Sequence, residues 1–292
     1  MADRFKLNFY AGDKLVLLYI IIQLALIFVF KPLSRNSLLI FYLASAGSIL
    51  FISAVPRLEK RSPLHFIRSI YPLIMIYVFY RILGVQTQLF GFQSHDVIFY
   101  SLEKQLLDIY PTFALQRVME VWLNELSYAL YCLGLVLPIW VIVKLYRQKY
   151  LKSFDNFILA LSISCLICLT IISVFPVSGP GQALKEFYYL GIYGPRFAAI
   201  VPILINILTP GTASFPAIYF CLLTISSYYL WDFGNKYVFL SFTLLISVFW
   251  GGVYLRYHYL ADALVALLIA FLGATIASFI YYMKHGPSTE PS

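Results

Sequence analysis

The sequence predicts an all-α fold, a polytopic membrane bundle of about eight spans, with an amphipathic segment on the membrane surface before span four. Three observations predict it. Of 292 residues, 61% are hydrophobic and 12% charged, whereas soluble domains run at about 45–50% apolar and about 25% charged. The apolar residues are gathered in runs near the about 20 residues that cross a bilayer. The Lys and Arg residues between those runs are shared unequally between two sides.

In chain order, the expected spans are Leu15–Phe30, Asn36–Val55 and Ile67–Leu83. A more polar stretch follows from Gly84 to about Asn124, with aromatic residues among charges; its pattern places it along the membrane surface. Spans four and five are Leu126–Val143 and Phe157–Phe175. Pro176–Thr212 is a Pro- and Gly-rich loop whose apolar piece, Phe197–Leu208, is too short to span and is expected to be re-entrant. Phe215–Leu230, Tyr237–Tyr254 and Leu260–Tyr282 complete the set. The domain reading is a transmembrane pair over 1–66, a membrane domain over 67–283, and a disordered polar tail over 284–292. The first run continues into Lys31 without a small-residue cleavage site, so it reads as a retained anchor. No internal repeat is visible.

Eight spans put both termini on one side. Thirteen of the 21 Lys and Arg residues fall there, including Arg4, Lys6, the cluster Arg57, Lys60, Arg61 and Arg68, and the cluster Lys144, Arg147, Lys149 and Lys152. The positive-inside rule makes that side cytoplasmic and turns the other to the periplasm, exterior or lumen. Cys165 and Cys168 form a C-x-x-C, but within an apolar run they read as packing residues rather than a redox or metal pair. The 24 Tyr and 25 Phe residues read as interface belts and lipid-facing surface. Membrane lipids are the expected partners, with no nucleic acid; oligomeric state is not legible.

The stretch Arg256-Tyr257-His258-Tyr259-Leu260-Ala261-Asp262 carries the chemistry. His258 and Asp262, four apart, are expected on one helix face. There the carboxylate fixes the imidazole tautomer and stabilises its positive form. Arg256 adds a fixed positive charge. Ionisable groups beside a span are costly and mark function. On the same side, Thr212-Ala213-Ser214-Phe215-Pro216 opens span six. The free N–H groups of a helix start with a Ser or Thr cap suit a phosphate. Together these features point to phosphoryl chemistry on a lipid.

These residues resemble the type 2 phosphatidic acid phosphatase superfamily, in the branch of inositol phosphorylceramide synthase. That branch carries Ser-Phe-Pro-Ser-x-His and, later, Tyr-x-Arg-Tyr-His-Tyr-x-x-Asp. Tyr254 through Asp262 matches the later motif, and Ser214-Phe215-Pro216 the start of the earlier one. Weaker echoes are Asp96 through Pro111 and Phe175 through Pro180. The resemblance covers Ile67 to the last span. It implies a mechanism without metal or cofactor. His258 attacks phosphorus, Asp262 orients it, and Arg256 with the N–H groups near Ser214 stabilises the phosphoryl oxygens. Water or an alcohol then takes the phosphoryl group.

The chain departs from that pattern at named positions. Ala217-Ile218-Tyr219 stands where the family has Ser-x-His, so Tyr219 occupies the place of the residue that protonates the leaving group. The Lys-containing first motif is not recognisable. Gly179-Pro180-Gly181 replaces Gly-Pro-Arg, while Gly194-Pro195-Arg196 offers Arg196 as a phosphate ligand or an interfacial anchor. Gly251-Gly252 stands where other superfamily members carry Ser-Arg. His95 is a substitute acid or a solvated loop His beside Asp96; Arg81 ends span three as a snorkelling residue. Three functions remain open: a lipid phosphatase or phosphotransferase, a degenerate member that binds a phospholipid or polyprenyl phosphate without turnover or serves as a partner subunit, and, last, a transporter.

Overall fold

The computed structural model describes residues 8–32, 34–54 and 62–285. The expected cytoplasmic cations Arg4, Lys6, Arg57, Lys60 and Arg61, and the tail from 286, lie outside them. Among the described residues there are twelve α-helices: α1 Ala11–Phe30, α2 Arg35–Ser53, α3 Pro63–Leu89, α4 Asp96–Leu107, α5 Pro111–Ala114, α6 Val121–Arg147, α7 Leu151–Val174, α8 Pro180–Ala183, α9 Phe197–Leu208, α10 Ile218–Leu230, α11 Asn235–Tyr254 and α12 Leu260–His285. Among the described residues the one β contact is an isolated parallel bridge between Val177 and Ala213.

Among the described residues seven helices, α1, α2, α3, α6, α7, α11 and α12, are long and apolar enough to cross a membrane. The chain is accordingly built as an integral membrane protein. Helix starts follow their local chemistry. Ser62 accepts the His65 N–H at 3.1 Å and Pro63 takes the first helical position, where its missing N–H costs nothing. Three boundaries differ from the sequence reading. α3 runs on to Leu89, and α6 begins at Val121, so the surface segment is shorter than Gly84–Asn124. The helix expected from Phe215 begins only at Ile218 and has 13 residues. Its first residues are diverted into the bridge. Ser214 donates its N–H to the Val177 carbonyl at 2.9 Å, and Val177 donates to Thr212 at 3.3 Å.

α7 is the central helix. Phe154, Phe157, Ala160, Cys168, Leu169 and Ile172 are all fully buried, and α1, α3, α10 and α12 pack around it. Cys165 and Cys168 lie here, buried and free. Small residues at Ala160, Ser162 and Ser164 let neighbours come close, which matters where lipid offers no hydrophobic drive for helices to associate. α10 sits among α6, α7, α11 and α12.

The first two helices are joined to this body by polar contacts. Tyr42 donates to Gln86 Oε1 at 2.6 Å, Gln86 donates to Gln23 Oε1 at 2.7 Å, and Gln23 donates to Ser173 Oγ at 3.3 Å. That chain links α2, α3, α1 and α7. Asp13 of α1 and Arg68 of α3 form a buried bidentate pair, with Nη1 to Oδ1 at 2.9 Å, and the guanidinium lies 4.3 Å from the Tyr10 ring centre. Removing one partner of a buried pair strands the other charge, at a cost of about 3–5 kcal/mol. Arg68→Ala should therefore lower the thermal midpoint in detergent sharply. The Asp13→Asn/Arg68→Met double variant should recover most of the loss, and equal losses would show that packing, not charge, sets the effect.

Candidate functional site

The loop Leu255–Tyr259 between α11 and α12 carries His258. It folds back onto the end of α11, with the Tyr257 and His258 N–H groups both donating to the Gly252 carbonyl, at 2.8 and 3.0 Å. Arg256 sits there at φ 64°, a left-handed conformation that non-glycine residues seldom adopt. His258 precedes α12, so its meeting with Asp262 does not come from a shared helix face. It comes from a cap. Asp262 is the third residue of α12 and reaches back to the Tyr259 N–H at 2.9 Å, which ties off the helix start. His258 Nδ1 then lies 3.4 Å from Asp262 Oδ2.

The imidazole has a stronger partner than the carboxylate. Nδ1 is 2.9 Å from the Ser214 carbonyl oxygen, which can only accept. This contact puts the hydrogen on Nδ1 and leaves the Nε2 lone pair free, facing the Tyr131 hydroxyl at 3.4 Å. Asp262 is fully buried; Oδ2 accepts from Ser214 Oγ at 2.6 Å, whereas Oδ1 has no hydrogen-bond partner among the described residues. Ser214 therefore serves the site through its carbonyl and hydroxyl. Its N–H is spent on Val177, and that of Ala217 donates to the Asp262 carbonyl at 3.3 Å. The helix-start donors that the sequence offers to a phosphate are thus occupied at both positions.

His258, Ser214, Arg256 and Tyr219 share one cavity of about 360 Å³. Its wall is rich in tyrosine, with Tyr80, Tyr128, Tyr131 and Tyr257 beside Tyr219, and it includes Gln182 and Asn206. Tyr219 packs edge-on against Tyr80, ring centres 6.4 Å apart. Arg256 is held by protein: Nη2 donates to the Leu190 carbonyl at 2.7 Å and lies 3.3 Å from Met119 Sδ, and the guanidinium stacks 3.7 Å over Tyr188. Burial pulls its pKa below the ordinary arginine value. Arg196 is elsewhere. It lines a separate groove with Trp122 and Phe197, where Glu125 of α6 accepts the N–H groups of Arg196 and Phe197 at 2.9 and 2.7 Å. His95 does not line the cavity; its ring stacks on Phe175 at 4.0 Å. Among the described residues no group of three or more His, Cys, Asp or Glu is placed to hold a metal ion.

α4 clamps this loop from outside. Asp96, buried at the helix start, accepts from Ser178 N–H at 2.9 Å, Gly179 N–H at 2.8 Å, the Tyr259 hydroxyl at 2.9 Å and the Ser94 hydroxyl. Burial and the Asp96 charge push the Tyr259 pKa up, so the phenol stays a donor. Gly179 sits at φ 90°, and a Cβ there would come within 2.6 Å of the Tyr257 carbonyl. Two turns along α4, Glu103 accepts the Leu260 N–H at 2.7 Å. The sequence shows Asp96 only as a weak echo and gives no sign of the Glu103 contact. The one available signal was their spacing of seven on an amphipathic segment, which puts both on one face.

No protein-family model, curated protein or solved structure matches the chain.

Two predictions follow from the clamp. Asp96→Asn should cost at least the about 1.5–3 kcal/mol of one hydrogen bond to a charged group, read as thermal unfolding in detergent. Tyr259→Phe, which removes one of four donors, should cost less; equal losses would mean that Asp96 acts through Tyr259 alone. Burial, opposed by the Leu260 N–H and helped by the nearby Asp262 charge, raises the Glu103 carboxyl to about 7. A folded pKa above the unfolded one means that the folded state binds more protons between the two. The Glu103 contribution to stability is then full below about pH 4.5 and is lost as pH rises to about 7. Glu103→Gln should flatten that part of the stability profile, and an unchanged slope would assign it to another group.

Proposed function

We propose that this protein is a multi-pass membrane phosphotransferase or phosphatase that acts on a lipid phosphate or diphosphate through a phosphohistidine at His258. The observation that carries the reading is the orientation of one imidazole. Nδ1 is tied to the Ser214 carbonyl and faces Asp262, and Nε2 is turned toward the cavity. The motif resemblance at Tyr254–Asp262 and Ser214–Pro216 supports the same assignment.

In this mechanism the Nε2 lone pair attacks phosphorus as the P–O bond to the leaving group breaks, and the bonding pair departs on oxygen. His258 becomes positive, and Asp262 offsets that charge. Water or an alcohol then attacks phosphorus, the N–P bond breaks and the ring returns to neutral, the attacking group's proton passing to solvent. Arg256 contributes positive charge from the cavity wall.

The bundle crosses eight times in this reading, with α10 as the sixth crossing. At about 1.5 Å per residue its 13 residues cover only about 20 Å of an about 30 Å core. The site at its start then lies below the membrane surface, beside the re-entrant α9. The excess of Lys and Arg on the side of the termini makes that side cytoplasmic and opens the site to the periplasm, exterior or lumen.

A second reading, a lipid-phosphate binder without turnover, rests on two observations: Tyr219 replaces the acid, and the Arg256 guanidinium is engaged by Leu190, Met119 and Tyr188. One experiment separates the two. Purified protein in mixed micelles should release phosphate from dioctanoyl phosphatidate or farnesyl diphosphate, and His258→Ala should lower kcat by a factor on the order of 10⁴ or more. Saturable binding of both lipids by wild type without any turnover would favour the second reading, and full activity in His258→Ala would remove the first.

A further inference from the structure

The sequence directs attention to Tyr219 as what remains of the acid, but the hydroxyl that faces the nucleophile belongs to Tyr131 of α6. It lies 3.4 Å from His258 Nε2, and Tyr131 is almost wholly buried, at 1% exposure. Its ring is packed 5.4 Å from that of Tyr257 and lines the same cavity. Both rings border α11. A Cβ on Gly251 would stand 3.4 Å from Tyr131 Cδ2, and one on Gly252 would stand 3.2 Å from His258 Cδ2. Gly252 gives the imidazole its room, since a Cβ there would press on His258, while a Cβ on Gly251 would only touch the Tyr131 ring at ordinary contact distance. Two features that look unrelated in sequence, the glycines of α11 and a tyrosine over a hundred residues earlier, form one arrangement.

We propose that Tyr131 is a further catalytic residue of this site: its hydroxyl donates a hydrogen bond to a non-bridging oxygen of the phosphoryl group that His258 Nε2 attacks. The proposal rests on the phosphoryl-transfer reading. The hydroxyl faces the Nε2 lone pair. As the phosphoryl group approaches Nε2, rotation about the Cζ–O bond turns the hydroxyl hydrogen from Nε2 to the nearest phosphoryl oxygen. An ordinary tyrosine has a pKa of about 10, so the group acts as a neutral donor and no proton leaves it. Its contribution is a dipole aimed at charge that grows in the transition state. Arg256, held on the Tyr188 ring, supplies positive charge from the same cavity wall.

The test uses the full chain in mixed micelles with dioctanoyl phosphatidate and farnesyl diphosphate as probes. Removal of one such donor costs about 10²–10³ in kcat. Tyr131→Phe should lose kcat by about that factor, with KM within about twofold and the thermal midpoint kept. An unchanged kcat, or a loss confined to KM, would overturn the proposal. A second measurement does not need turnover: the ¹⁵N resonance of His258 Nε2 should shift in Tyr131→Phe, because the hydroxyl at its lone pair is gone. An unshifted resonance would also overturn the proposal. If wild type turns over neither probe, the phosphoryl-transfer reading has failed, and the catalytic role of Tyr131 falls with it. A shifted resonance would then retain only the contact.

Discussion

Asp262 is a carboxylate with no exposed surface in a chain made largely of apolar residues. Such a group is tolerated only when donors surround it. The form of the site follows from that requirement. Ser214 gives its hydroxyl and Tyr259 its N–H, so the start of α12 and the segment before α10 are drawn to one point. His258 is caught between them, with its Nδ1 hydrogen on the Ser214 carbonyl. The chemistry and the local fold share the same bonds. A change that disturbs one cannot leave the other untouched, and stability has to be read beside activity in any variant of this loop.

The second buried carboxylate, Asp96, works one layer out. It gathers Ser178, Gly179 and Tyr259, which come from two loops that the chain order keeps far apart. Glu103 then holds Leu260, the first residue of α12. The exposed side of α4 carries Val97, Ile98 and Leu106 together with Lys104 and Gln105, while its acids face the protein. Its two acids thus serve the loop beneath it. The Tyr42–Gln86–Gln23–Ser173 chain and the Asp13–Arg68 pair play a comparable part for the first two helices.

Much of this was legible in the sequence, and the reasons for the remainder are physical. Apolar runs announce long helices, and seven helices of that kind are present among the described residues. The seven-residue stretch from Arg256 to Asp262 is contiguous, so a local reading finds His258 and Asp262 together. It mistakes the cause, because a cap and a shared helix face bring residues four apart to a similar distance. Ser214 is found as well, but not what it does. Its N–H is taken by Val177, a partner that nothing near Ser214 announces. Arg196 was offered by the single Gly-Pro-Arg at 194–196, yet Glu125 captures the backbone there and holds it at another groove. Tyr131 and the glycine pair Gly251-Gly252 have meaning only once α6 and α11 are packed, since no periodicity in either helix encodes a contact between rings from different segments.

The account turns on which nitrogen of His258 is free. The most direct measurement is to trap the phosphoenzyme by rapid quench into alkali from a labelled lipid phosphate, and to determine which isomer of phosphohistidine the peptide carries. The account predicts label on His258 at Nε2. Label at Nδ1, label on another residue, or no trapped phosphoenzyme during measurable turnover would contradict it.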